Sequence, residues 1–161
     1  HNADFAHWNG SGEGYDVVTM WDFLEHVPDP LATMRRASGL LRPQGLLAVL
    51  TIDSSSLFNV LGAAAYRLSA GKASRPLELL YDRRHTFYFD RRHTRMLAER
   101  AGLAVYEQRF YRAHLGRWLS VPIPWWMRLG GDAVDLASLL VRHPYRQLLV
   151  ARKATPASPR Q

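Results

Sequence analysis

Two short apolar runs, YDVVTMW (Tyr15–Trp21) and LLAVLTI (residues 46–52), constrain this chain more than any other feature. Each is rich in β-branched or aliphatic residues and too short for a buried helix, so each reads as a buried strand. Between them lies DPLATMRRASGLL, where Asp29 can cap, Pro30 suits a first helical turn, and Leu31, Met34 and Leu41 recur at helical spacing. RPQG (residues 42–45) then interrupts the helix at Pro43 and Gly45. Strand, helix and strand in this order make a right-handed parallel crossover. Strands apolar on both sides call for helices on both faces of the sheet, and the predicted class is α/β.

The rest of the chain extends that pattern. Serines 54 to 56 lead into a helix-like run ending at Gly71. DRRHTRMLAERAG predicts a second helix, with Asp90 as cap, Met96, Leu97 and Ala101 on the apolar face, and Gly102 beyond its end. LAVYEQRFY (Leu103–Tyr111) and YRQLLVARK (residues 145–153) read as strands that pair antiparallel. Between them, residues 112–144 form a long insertion, the kind of connection that usually carries function. It holds Trp118, Trp125 and Trp126 beside Pro122 and Pro124, which predicts a turn-rich lobe. A helix over residues 133–142 should follow, capped by Asp132, with Val134, Ala137, Leu140 and Val141 needing cover. Residues 155–161 read as a disordered tail.

With 161 residues, of which 47% are apolar and 11% aromatic, the chain can bury the core of one domain and is not intrinsically disordered. It has no cysteine, which excludes disulfides, cysteine–zinc sites and thiol catalysis. No apolar run approaches the roughly 18 residues of a spanning helix. The polar start HNADFAHWNG and the missing initiator methionine lead us to expect a fragment or processed chain without an intact secretory signal. The net charge of +7 is uneven: residues 1–66 hold three basic and seven acidic side chains, residues 67–161 eighteen and seven. Such a basic half suits nucleic acid, anionic lipid or an acidic ligand, or is simply a solvated arginine-rich surface.

The stretch YDVVTMWDFLEHVPDPLATMRRASGLLRPQGLLAVLT resembles the class I S-adenosylmethionine-dependent methyltransferases, in the branch with small-molecule and lipid acceptors. HTFYFDRRHTRMLAERAGLAVYEQ is similar to the family's run into its sixth strand, and LLVARK to its seventh. The resemblance implies an incomplete Rossmann-like sheet of strands four to seven. Residues 1–154 would be the C-terminal portion of such a domain, with 112–144 inserted. The family's glycine-rich loop and its ribose-binding acidic residue are absent, and RPQG stands in place of RPGG. A bare fourth strand would leave an open edge able to self-associate.

The resemblance assigns S-adenosylmethionine as cofactor and places Asp4, Phe5, Trp21 and Asp22 beside it, with Asp4 and Phe5 toward the adenine. A cap or turn role is the plainer reading of Asp22. His26 is the candidate catalytic residue, because an imidazole titrates near neutral pH and can take a proton from an acceptor hydroxyl or amine. It can equally shape the loop. His85, Tyr88 and Trp118 are candidate acceptor contacts. His85 and His93 alone make a weak metal signal, so no metal site is assigned. Arg83, Arg84, Arg91 and Arg92 either grip an acidic acceptor group or form a solvated face.

The expected activity is therefore methyl transfer to a small-molecule or lipid-like acceptor, with the chain inactive on its own. The alternative is a non-catalytic interaction module derived from such a domain. The Trp-rich insertion reads as a lid or partner contact first and a peripheral membrane contact second. A nucleic-acid partner ranks last, since no arginine–aromatic RNA-binding module is present. The expected location is cytoplasmic, or peripheral at a membrane.

Overall fold

The computed structural model describes residues 5, 14–81, 84–113 and 124–153. Strand β1 (Tyr15–Trp21) leads through a short 3-10 turn (Leu24–His26) into helix α1 (Pro30–Leu40) and strand β2 (Leu41–Ile52). Helices α2 (Leu57–Leu68), α3 (Arg75–Leu80) and α4 (Arg91–Arg100) follow. Strand β3 (Leu103–Tyr111), helix α5 (Trp125–Leu140) and strand β4 (Arg146–Lys153) complete the described chain. The four strands form one sheet in the order β1-β2-β4-β3. β1 and β2 are parallel, and β4 runs antiparallel to both of its neighbours, β2 and β3. This is the incomplete α/β sheet expected from the sequence.

Local chemistry accounts for the boundaries. Asp29 caps α1 by accepting from the amide of Ala32 at 2.9 Å, and Pro30 needs no donor in the first turn. Asp90 caps α4 through the amide of His93 at 2.8 Å. Gly102, at φ 78°, reverses the chain into β3. β2 starts earlier than predicted: Leu41 leaves the helix, and RPQG forms the strand's irregular first part, with Gln44 at φ 68°. The register with β1 shifts between Tyr15 and Val17 at this point, so an extended but bulged backbone replaces the expected loop. α2 stops at Leu68 rather than Gly71, because Ala70 and Gly71 both turn left-handed.

Helices α1 and α4 cover one face of the sheet and enclose Met20, Met34, Leu47, Val49, Ala98 and Leu149. The α4 face is built on Thr94, Ala98 and Ala101 with Leu97 packed against the core, as expected for Leu97 and Ala101; Met96 is exposed, against expectation. Helices α2, α3 and α5 gather on a second, smaller cluster of Phe58, Leu80 and Ala113, with Val134 and Tyr145 against it. The sheet's other face is less covered than the expected two-sided packing: Leu46, Ala48, Leu50, Leu148 and Val150 are half-buried.

Helix α5 departs furthest from the prediction. Trp125 and Trp126 open the helix instead of sitting on turns, because Pro124 precedes the first turn and removes no helical hydrogen bond there. Asp132 is inside the helix, not its cap. Of the expected stripe, Val134 packs on the Phe58 cluster and Ala137 is half-buried, but Leu140 and Val141 are exposed, and the fully buried residues of α5 are the polar Asp135 and Ser138. Asp135 accepts from the Ala113 amide at 2.8 Å and from Arg112 Nε at 3.0 Å, which satisfies its buried carboxylate. Trp118 and Pro122 lie outside the described residues, as do Asp4, Arg83 and the predicted tail.

Candidate functional site

In open α/β sheets, ligands bind beyond the carboxyl ends of the parallel strands. Here β1 and β2 deliver Asp22, the 3-10 turn and Asp53 to that edge. Asp22 takes φ 48°, a left-handed conformation, and its amide donates to Leu50 O at 3.0 Å. Its carboxylate is paired with Arg146, the first residue of β4. The turn then buries Glu25 and exposes His26.

Glu25 accepts a hydrogen bond from Thr51 Oγ1 at 3.0 Å. Burial pushes its carboxyl pKa up, and Asp22 adds to that rise, while hydrogen bonding and His26 oppose it. The backbone carbonyl of Glu25 accepts from the amides of Thr86 and Phe87, which ties the turn to the segment carrying His85. His26 Nδ1 lies 3.0 Å from the carbonyl of Arg84. A carbonyl only accepts, so Nδ1 carries the proton and Nε2 of the neutral ring presents a lone pair.

An aromatic chain extends from there. The rings of His26 and His85 are 4.6 Å apart, those of His85 and Tyr88 5.5 Å, and those of Tyr88 and Tyr81 4.7 Å. Tyr145 lies beside this chain; desolvation raises its pKa to about 12, with Tyr88 adding to the rise, and its hydroxyl donates to Leu80 O at 3.3 Å. One ligand atom from each of Glu25, His26 and His85 falls within 4.8 Å of the others. That trio, a carboxylate with two imidazoles, has the donor chemistry to hold a divalent cation.

The sequence candidates thus divide. Asp22, His26, His85 and Tyr88 lie along one connected edge. Phe5 packs edge-on against Phe23, the residue after Asp22, with centroids 6.0 Å apart, and the Arg36 guanidinium lies over the Phe5 ring, 5.8 Å from its centroid. Trp21 is 56% exposed at the end of β1. His93 does not pair with His85; its Nδ1 lies 2.9 Å from Asp90 Oδ1. Arg91 is engaged within the fold, bonded to buried Asp53 at 2.9 Å and stacked 4.0 Å over Phe110. Glu25, Thr51, Tyr145 and Arg146 were missed. Glu25 adjoins His26 in LEHV, but nothing in the sequence links Thr51 or Arg146 to them.

A partly parallel sheet with titratable side chains at its carboxyl edge defines the class: an α/β fold of the kind that binds ligands at the strand ends. A model of the methyltransferase domain matches residues 1–108, and the chain belongs to that family, within the class I S-adenosylmethionine-dependent methyltransferases. It is 46% identical over 52 residues to a ubiquinone biosynthesis O-methyltransferase of Marinobacter nauticus, a match covering 30% of this chain and 22% of that protein. Among solved structures it resembles the methyltransferase in the Haloferax volcanii complex with the Trm112 activator. That likeness has a TM-score of 0.61 at 14% identity, over 97% of this chain and 61% of the other. A methyltransferase from Thermotoga maritima matches with a TM-score of 0.57 at 15% identity, over 94% and 61%. The chain thus spans under two thirds of each of these three relatives.

Proposed function

We propose that this chain supplies the acceptor side of an S-adenosylmethionine-dependent methyltransferase acting on a small-molecule or lipid-like acceptor. The observation that carries the reading is the clustering of His26, with its Nε2 lone pair presented, beside His85 and Tyr88 at the carboxyl edge of the parallel strands. The residues present fit one part of the cofactor. Phe5 and Phe23 offer an aromatic wall for an adenine, and Asp22, held by Arg146, an anionic group near the strand end. The cofactor supplies a methyl group on a sulfonium. His26 Nε2 takes the proton of the acceptor hydroxyl or amine, His85 and Tyr88 orient the acceptor, and Glu25 and Thr51 fix the turn bearing His26.

The family's glycine-rich loop motif and its ribose-binding acidic residue are not found in this sequence, so in our reading it binds the cofactor weakly by itself and is inactive alone. The same observation favours a second reading, a non-catalytic interaction module that keeps the fold. Two measurements separate them. Calorimetry with S-adenosylhomocysteine should show no micromolar binding to the chain; tight binding would overturn the half-site reading. Adding a glycine-rich strand–loop half, in cis or in trans, should restore methyl transfer from labelled cofactor to phenolic or amine acceptors. Cofactor binding without transfer to any acceptor would favour the module.

A further inference from the structure

Helix α5 packs inward through Val134 but turns most of its large apolar side chains outward. Its buried residues are Asp135 and Ser138, while Trp125, Leu129, Leu136 and Leu140 recur along the solvent side at helical spacing. Leu140 is 83% exposed and Trp125 74%. Trp126 adds to the same stripe at the N-terminal end. Helix α2, which packs against α5, carries a second exposed apolar row in Val60, Leu61 and Leu68. Exposed apolar rows of this size on a folded protein mark an interaction site. The exposed stripe is not a lid on the sheet, because it lies on the side of α5 opposite Val134, through which the helix packs on the Phe58 cluster.

Charge selects the occupant. The exposed cations on these helices or within four residues after their ends are Arg67, Lys72, Arg128 and Arg142, against the single exposed acid Asp132 on α5. A second copy docking face to face would set like charges against each other in a chain of net charge +7. An anionic bilayer would meet both features: tryptophan and leucine enter the headgroup boundary while the arginines contact acidic headgroups. No helix among the described residues is long and apolar enough to cross a membrane, so the contact lies in the surface plane. We propose that the outer face of α5, with α2 beside it, docks flat on an anionic lipid surface. The proposal does not depend on the methyl-transfer reading.

The test is co-sedimentation of the chain with vesicles of phosphatidylcholine alone, and of phosphatidylcholine with about a third phosphatidylglycerol. Two variants accompany it, Leu136→Glu/Leu140→Glu and Arg128→Glu/Arg142→Glu. All four positions are exposed, and circular dichroism checks that both variants fold. We expect binding to the anionic vesicles that falls with added salt, a blue shift of tryptophan emission, and about tenfold or greater loss in either variant. The proposal is overturned by absence of binding, by equal binding to neutral vesicles, or by unchanged binding of either variant. It is also overturned if the chain dimerises in solution and the leucine variant dissociates the dimer, since the face would then belong to a second copy.

Discussion

Arg146 and Asp22 form an ion pair that reaches across the end of β2, joining the first residue of β4 to the residue that follows β1. The two are far apart in sequence and come together only because β4 inserts beside β2 in antiparallel register, with Arg146 opposite Ile52. Arg146 is buried, and its partner sits in a left-handed backbone conformation. The pair therefore fixes the strand end from which the 3-10 turn departs.

Replacing Arg146 by alanine should destabilise the fold on the order of 2 kcal/mol, because a charge-assisted bond is lost and the Asp22 carboxylate is left without this partner. Lysine should recover only part of this, since a point charge replaces a planar fork. Urea denaturation of the three proteins measures it. An unchanged midpoint in the alanine variant would mean that the pair contributes nothing to the folded state.

His26→Ala should lower kcat by a factor on the order of 100 in a form competent for methyl transfer, with the cofactor Kd nearly unchanged. A base acts in the transition state, so its loss belongs in kcat. His26→Asn can still donate to the Arg84 carbonyl, yet has no imidazole base. Recovery of activity by asparagine would assign His26 to loop shaping; equal loss in both variants supports the base.

Much of the fold was legible because buried strands advertise themselves. YDVVTMW fixes β1 to the residue, and the Asp-Pro and Asp90 caps mark the starts of α1 and α4. The orientation of α5 was not legible. An apolar stripe in a sequence says that something covers it, and the simplest cover is the core. Here Arg112 and the Ala113 amide stabilise a carboxylate inside, which leaves the leucines outside. The site was half legible. His26 and Asp22 stand within a recognisable motif, but the contact between His26 and His85 arises from tertiary packing. Sequence spacing instead joined His85 to His93, which turns to Asp90.

Tyr145 gives stability a pH dependence at the alkaline end. Burial raises its folded pKa to about 12, above the roughly 10 of an unfolded tyrosine. The folded state thus holds its proton more tightly than the unfolded chain does. The contribution is fully present below pH ~10 and is lost as pH rises through the folded value. Tyr145→Phe should lose the 3.3 Å bond to Leu80 O but keep its stability over that window better than the parent. Thermal melts between neutral pH and the folded pKa decide; parallel curves for both proteins would rule Tyr145 out as the source.

Asp135 should be the residue on which the placement of α5 depends. Its carboxylate is fully buried and accepts from the Ala113 amide and from Arg112, which joins the end of β3 to the middle of the helix. Asp135→Ala leaves a buried amide donor and a partly buried guanidinium without their acceptor, at a cost of about 3 kcal/mol. Asp135→Asn keeps an acceptor for the amide and should cost less. Arg112→Met/Asp135→Leu removes the charge pair together and should fall between them, since only the Ala113 amide then loses its partner. Urea midpoints give the order, and hydrogen exchange in residues 125–140 shows where the loss is felt. Were Asp135→Ala to leave that exchange unchanged, the carboxylate would not be what holds the helix with its polar side inward.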